Sequence, residues 1–201
     1  NDRDWVTYCE TSEKILTIPK LPEALAYFNA DAGFVTGGIS QKLVEGSRGD
    51  WTATIEAAVQ EYIDSMWFMA EANSSFNFED DVETQVLQEI EFPCDRHEFS
   101  PVEFDAGKGR LVIGASIQAT IQVVACFTYW VVDGIDRDDV PMGQSTETSK
   151  TTVDLELLLT FNTSRAGSED LIHVEVSGNQ RQHVDFGMLQ PSWMSEPDFY
   201  D

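Results

Sequence analysis

Two carboxylates open the chain, Asp2 and Asp4, in the segment Asn1-Asp2-Arg3-Asp4-Trp5. Acids two apart in a turn at the carboxyl end of a strand stand where ligand and metal sites gather in open α/β sheets. Their oxygens suit a hard cation such as Mg²⁺ or Mn²⁺, which holds water for attack on a phosphate ester. The histidines, His97, His173 and His183, form no HxH, HxxxH or HExxH spacing. His173 reads as a surface residue paired with Glu175, two positions on and on the same side of a strand. Cys94-Asp95-Arg96-His97-Glu98 crowds a thiol, acids and an imidazole into one loop after Pro93, with no matching cluster adjacent. Asp133 to Asp139 (DGIDRDD) has neither the glycine nor the final glutamate of a calcium loop in register, and reads as an acidic hairpin loop. GxSxG, GxGxxG and GxxxxGK(S/T) are absent, so neither a nucleophile elbow nor a phosphate-cradling loop is present. Residues 50 to 201 therefore contain no convincing active site.

The elements that would position these groups fall into three stretches. Residues 1 to about 30 read as a turn, a short strand at Ile15–Ile18 and a helix that starts at Pro22, with Ala24, Leu25 and Phe28 on its apolar face. Residues 31–50 are Gly-rich and polar and read as a linker, with one helical turn around Ser40–Val44. A helix is expected from Asp50 or Thr52 to about Ala72. Ile55, Ala58, Val59, Tyr62, Met66 and Met69 recur on one face of it, widened by Trp67 and Phe68. That stripe reads as core packing.

From about residue 82 the apolar period changes to two. Every odd position from Leu111 to Val131 is apolar or aromatic, whereas Ser116, Gln118, Thr120 and Gln122 are polar. Residues 111–132 would span roughly 70 Å at about 3.3 Å per residue, so a bend or bulge is expected at Gly114 or Val123-Val124. Val153, Leu155, Leu157, Leu159 and Phe161 form a second alternating strand. Ile172, Val174 and Val176 form a third, and DVETQVLQEIEF joins the same sheet. Short connections favour an antiparallel meander, covered on its apolar face by the helix.

Hydrophobic residues at 42% of 201 are enough for a core, and 36 acids against 12 bases give a net charge of −24. Such a charge repels phosphate backbones, so generic nucleic-acid binding is disfavoured; solubility, a salt-rich host or a basic protein partner would each account for it. No run of about 18 apolar residues exists, and no membrane partner is expected. Cys9, Cys94 and Cys126 are widely spaced, with no CxxC; reduced thiols in a cytoplasmic protein are the simplest reading, with Cys126 a small core residue.

The segment Asn1-Asp2-Arg3-Asp4-Trp5, a short polar helix, Ile15–Ile18 and then Leu21-Pro22-Glu23-Ala24-Leu25-Ala26-Tyr27-Phe28 resembles the closing section of a PIN-like nuclease domain. In that family a strand ends in a small polar residue followed by an acid, two more residues and an aromatic. Asp2 matches the acid and Trp5 the aromatic, while Asp4 is an extra neighbouring carboxylate. The resemblance implies the carboxyl-terminal segment of a metal-dependent endoribonuclease whose other acids lie upstream of Asn1. Asp2 and Asp4 would be catalytic, Asp2 a ligand of Mg²⁺ or Mn²⁺, and RNA the substrate of the parent domain.

The expected fold is α+β: a remnant of an α/β PIN-like domain (1–30), a linker (31–50), a helix packed on an antiparallel meander as accessory domain (51–191), and an acidic tail (192–201). That accessory domain would serve regulation, oligomerisation or partner binding. The alternative is a non-enzymatic acidic module that docks a basic protein, as an inhibitor or immunity factor does. A third reading is a small-ligand carrier with Tyr129, Trp130, Trp67 and Phe68 around an apolar cavity.

Overall fold

The computed structural model describes residues 31–46, 49, 51–165 and 168–194; Asp2, Asp4, Cys9 and the elements expected before Ala30 lie outside the described residues. The elements run α1 (Ala32–Val44), α2 (Trp51–Asp64), β1 (Trp67–Ser74), β2 (Asn77–Glu91), β3 (Ser100–Asp105), β4 (Arg110–Val132), β5 (Asp139–Arg165), β6 (Ser168–Gly178) and β7 (Arg181–Leu189). Among the described residues, two helices with mostly antiparallel sheet make the fold α+β.

Strand β4 is the spine. Its odd positions from Leu111 to Tyr129 are all buried, which is the expected period of two. β5 pairs with it from Arg110↔Asn162 to Val132↔Asp139. On its other edge β3 and β2 lie end to end, against Arg110–Gly114 and Gln118–Trp130 respectively. β6 extends the sheet beyond the second half of β5.

Two covers share the buried face. Ile39 and Leu43 of α1, with Ile55, Val59 and Ile63 of α2, pack against Leu111–Val123 of β4 and Val153–Phe161 of β5. Beyond Val123 the cover is the β1–β7 ribbon, whose Ala70, Ala72, Phe186 and Leu189 meet Ala125, Phe127 and Tyr129. A strand of 23 residues runs unbroken because each half has its own cover. The irregularity expected in β4 falls on its partners instead. β2 carries an extra residue, Glu83, opposite Val124 and Ala125, and another, Gln88, further on. β5 carries Met142 as the extra residue opposite Tyr129 and Trp130, next to Gly143, whose φ of 107° suits glycine alone.

Several elements differ from the sequence reading. The Gly-rich stretch read as a linker holds a 13-residue helix, capped by Asp31, whose carboxylate accepts the Phe34 N–H at 2.8 Å. Gly33, Gly37 and Gly38 hide it from propensity; burial of Ile39 and Leu43 supplies what propensity lacks. The following helix ends at Asp64, short of Ala72. Met66–Met69 consequently belong to no helical stripe: β1 begins at Trp67 and pairs in parallel with β7, from Trp67↔Arg181 to Ser74↔Leu189. Short apolar runs fit either period, and here partner strand β7 decides. This parallel ribbon is a departure from the antiparallel meander. Ile172, expected inside, is 58% exposed, because the register slips from Thr160↔His173 to Phe161↔Leu171 and Leu171 packs on the core in its place.

Helix α2 also serves the sheet edge. The Gln60 side chain accepts from Leu87 N–H at 2.8 Å and donates to Gln85 C=O at 3.1 Å, so one amide stands in for a strand beside β2. Gln60→Ala is expected to lower stability by about 1–3 kcal/mol in urea unfolding, with faster hydrogen exchange at Leu87. Survival of Leu87 protection in that variant would contradict the assignment.

Candidate interaction surface

The face of the sheet opposite both covers carries the even positions of β4 and β5. Ser116, Gln118, Thr120 and Gln122 of β4 stand beside Glu156, Asp154, Thr152 and Lys150 of β5. β2 adds Glu79, Asp81, Glu89 and Glu91, and β6 adds His173 and Glu175. Its acids Asp154, Glu156, Glu79, Asp81, Glu89, Glu91 and Glu175 are all exposed, whereas Val112 and Thr160, at the end of the face beside β3, are buried. Cys126, expected in the core, stands half-buried on this side, across from Asp81 and Thr146.

Neutral donors orient the central carboxylates. Ser116 Oγ donates to Glu156 Oε1 at 2.8 Å and Gln118 Nε2 to Asp154 Oδ1 at 2.9 Å. A hydroxyl or amide fixes a carboxylate without cancelling its charge, so the field of these acids stays available to a partner. The cationic pairs among the described residues lie apart from these central acids: Lys42 with Glu169, Lys108 with Asp105, and Arg110 with Glu103 at the β3 end of the sheet. The Lys108 backbone N–H, then its side chain, hold the Asp105 carboxyl below its ordinary 3.8; this is a device of the β3–β4 turn.

The histidines do not converge on a site. His173 Nε2 lies 3.4 Å from Glu175 Oε1 with both side chains exposed, the surface pair expected from the sequence. His183 Nδ1 meets Glu71 Oε1 at 2.6 Å across the β7–β1 ribbon. His97 belongs to a 3₁₀ turn, where its N–H donates to Asp95 Oδ1 at 2.9 Å. Asp133 to Asp139 forms the β4–β5 hairpin loop, closed by the Asp133 N–H donating to Asp138 C=O at 2.9 Å, with Asp133 Oδ1 accepting the Ile135 N–H at 2.8 Å inside it. No group of three metal-ligating side chains occurs among the described residues. The acids on which the nuclease expectation rests, Asp2 and Asp4, lie outside them.

The four aromatics proposed to line a ligand cavity do not surround a common space. Tyr129 is fully buried with its hydroxyl 2.7 Å from Ser145 Oγ, and Trp130 is on the opposite face of β4. Trp67 and Phe68 border a groove of about 390 Å³ between β1 and β2, with Met66, Asp80, Asp81 and Val82. A cleft of about 570 Å³ lies between α1 and the loop before β3, lined by Gly33, Gly37, His97 and Phe99. The β1–β2 groove escaped the sequence reading because Met66–Met69 read as helix; Val184 and Phe186, alternating in β7, were the available signal for the ribbon.

No helix among the described residues is long and apolar enough to cross a membrane. Comparison with family models, with curated proteins and with solved structures finds no match to this chain.

Proposed function

We propose that the part of the chain from α1 to β7 is a non-enzymatic acidic module that docks a basic protein on its uncovered sheet face. The observation that carries this reading is the set of exposed carboxylates at Glu79, Asp81, Asp154 and Glu156, without a Lys or Arg partner among the described residues and, at the last two, aligned by neutral donors. A basic surface would pair with them, and steering by the −24 net charge would speed encounter.

The test is binding of a lysine-rich protein at about 0.05 M and about 0.5 M salt, with exposed charges screened at the higher value. Affinity is expected to fall at least about tenfold at the higher salt. Asp154→Lys with Glu156→Lys should weaken binding far more than Asp136→Lys with Asp138→Lys, the same charge change placed in the hairpin loop. Equal losses from the two pairs would mean that only net charge is sensed, and the docking face would be abandoned.

A second reading is supported by the Asn1–Trp5 segment and its PIN-like pattern: the module would be the accessory domain of an Mg²⁺- or Mn²⁺-dependent endoribonuclease, with Asp2 as metal ligand and Asp4 beside it. Metal-dependent RNA cleavage by the full-length protein, abolished by Asp2→Asn, is the expected result. Undiminished cleavage by that variant removes the role of Asp2.

A further inference from the structure

We infer that the groove between β1 and β2 takes an extended, lysine- or arginine-bearing segment of the basic partner as an added strand. This rests on the acidic-module reading and specifies how part of the partner is held.

β1 and β2 are consecutive and joined by Ser75-Phe76, a connection of hairpin length, yet they do not pair with each other. Among the described residues β1 pairs only with β7 and β2 only with β4. Each strand therefore has one edge of N–H and C=O groups that no other described strand receives. At Gln85 and Leu87 the Gln60 amide fills that role for β2, because α2 passes there. Upstream, along Asn77–Glu83, no side chain among the described residues takes its place, and Asp80, Asp81 and Val82 of this stretch line the groove. Unpaired edges of this kind are where extended peptides add to sheets.

The chemistry of the walls selects the occupant. Asp80 lies across from Phe127 and between Phe78 and Val82, so alternation assigns it to the covered face, yet its side chain is exposed at the groove. Trp67 is 68% exposed on the facing wall, and Met66 and Phe68 form an apolar floor at 7% exposure each. An added strand with alternating basic and apolar side chains would set a cation against Asp80 and the Trp67 ring, and an apolar group on the floor. A second copy of this chain is the wrong occupant. Its β2 would bring Glu79, Asp80, Asp81 and Glu83 against the same four acids, and like charges directly opposite destabilise a sheet.

The experiment uses the full chain and an eight-residue peptide alternating lysine and valine, with a version of it N-methylated at every residue as comparison. The methylated peptide keeps the side chains and charge and loses every backbone donor. Expected are saturable binding of the unmodified peptide, slowed hydrogen exchange at Trp67–Ala70 and Glu79–Glu83, and at least about tenfold weaker binding of the methylated version. Asp80→Lys should weaken the unmodified peptide by a similar factor. Equal affinity of the two peptides, or protection confined to the open face of β4 and β5, overturns strand addition and leaves charge docking standing. Failure of both peptides to bind at low salt overturns both. Concentration-dependent dimerisation with the same protection pattern and no peptide present overturns the choice of occupant.

Discussion

Phe127→Ala is expected to lower the free energy of unfolding by about 3–5 kcal/mol, the range for emptying a buried phenylalanine site. The ring is fully buried, edge-on to Phe78 at 5.7 Å and to Phe186 at 5.2 Å between centroids. These contacts join three strands, β2, β4 and β7, and Phe127 is the central side chain under the ribbon. Removing it leaves a cavity that the paired backbones of β4 and β5 cannot close by collapse. Urea unfolding should show a lower midpoint with an unchanged slope, and amides of β1 and β7 should exchange faster than those of β6. Phe127→Leu, which keeps most of the volume, should cost about 1.5 kcal/mol or less. A loss under about 1 kcal/mol for the alanine variant would mean that the ribbon is not a packed cover.

Leu43→Ala is expected to cost about 2–5 kcal/mol, and it discriminates between a helix and a connector over residues 31–50. In a solvated linker this change would lie within about 0.5 kcal/mol of neutral. In the structure Leu43 is fully buried with Ile39, one turn earlier on α1, against the same core as Ile55 and Val59. The neighbouring Val44 is 36% exposed, so Val44→Ala controls for helix propensity and should change stability little. Equal effects at both positions would argue that α1 does not dock through Leu43. Because α1 and the ribbon cover different halves of one sheet face, the two variants should destabilise nearly additively.

These stability tests and the binding tests address separate properties of the sheet. Phe127 and Leu43 lie under the covers; Asp154 and Glu156 are on the uncovered face. Charge reversal there should leave the unfolding midpoint almost unchanged while altering association, since exposed charge pairs contribute little to folding.

Much of the sheet was legible. Leu111 to Phe127 and Val153 to Phe161 announce their strands because alternation at period two is a local consequence of one buried face. The His173–Glu175 pair and the acidic hairpin loop at Asp133 were legible for the same reason, since both follow from spacing along one strand or one turn. Less could be read at Ile172, where a single bulge exchanged it with Leu171, or at Met66–Met69, whose spacing suits a helix and a strand alike. Glycines 33, 37 and 38 concealed α1, because propensity is a weak term beside the burial of Ile39 and Leu43.

What the sequence by itself determined is therefore the set of surfaces: which positions of the long strands are apolar, which are polar, and a net charge of −24. The tertiary structure alone decided which elements meet those surfaces. The two covers on one sheet face, the parallel pairing of β1 with β7, the Gln60 amide at the β2 edge and the open groove at Asp80 join residues far apart in the chain. Local periodicity records whether a side chain is buried; only three-dimensional packing records what lies against it.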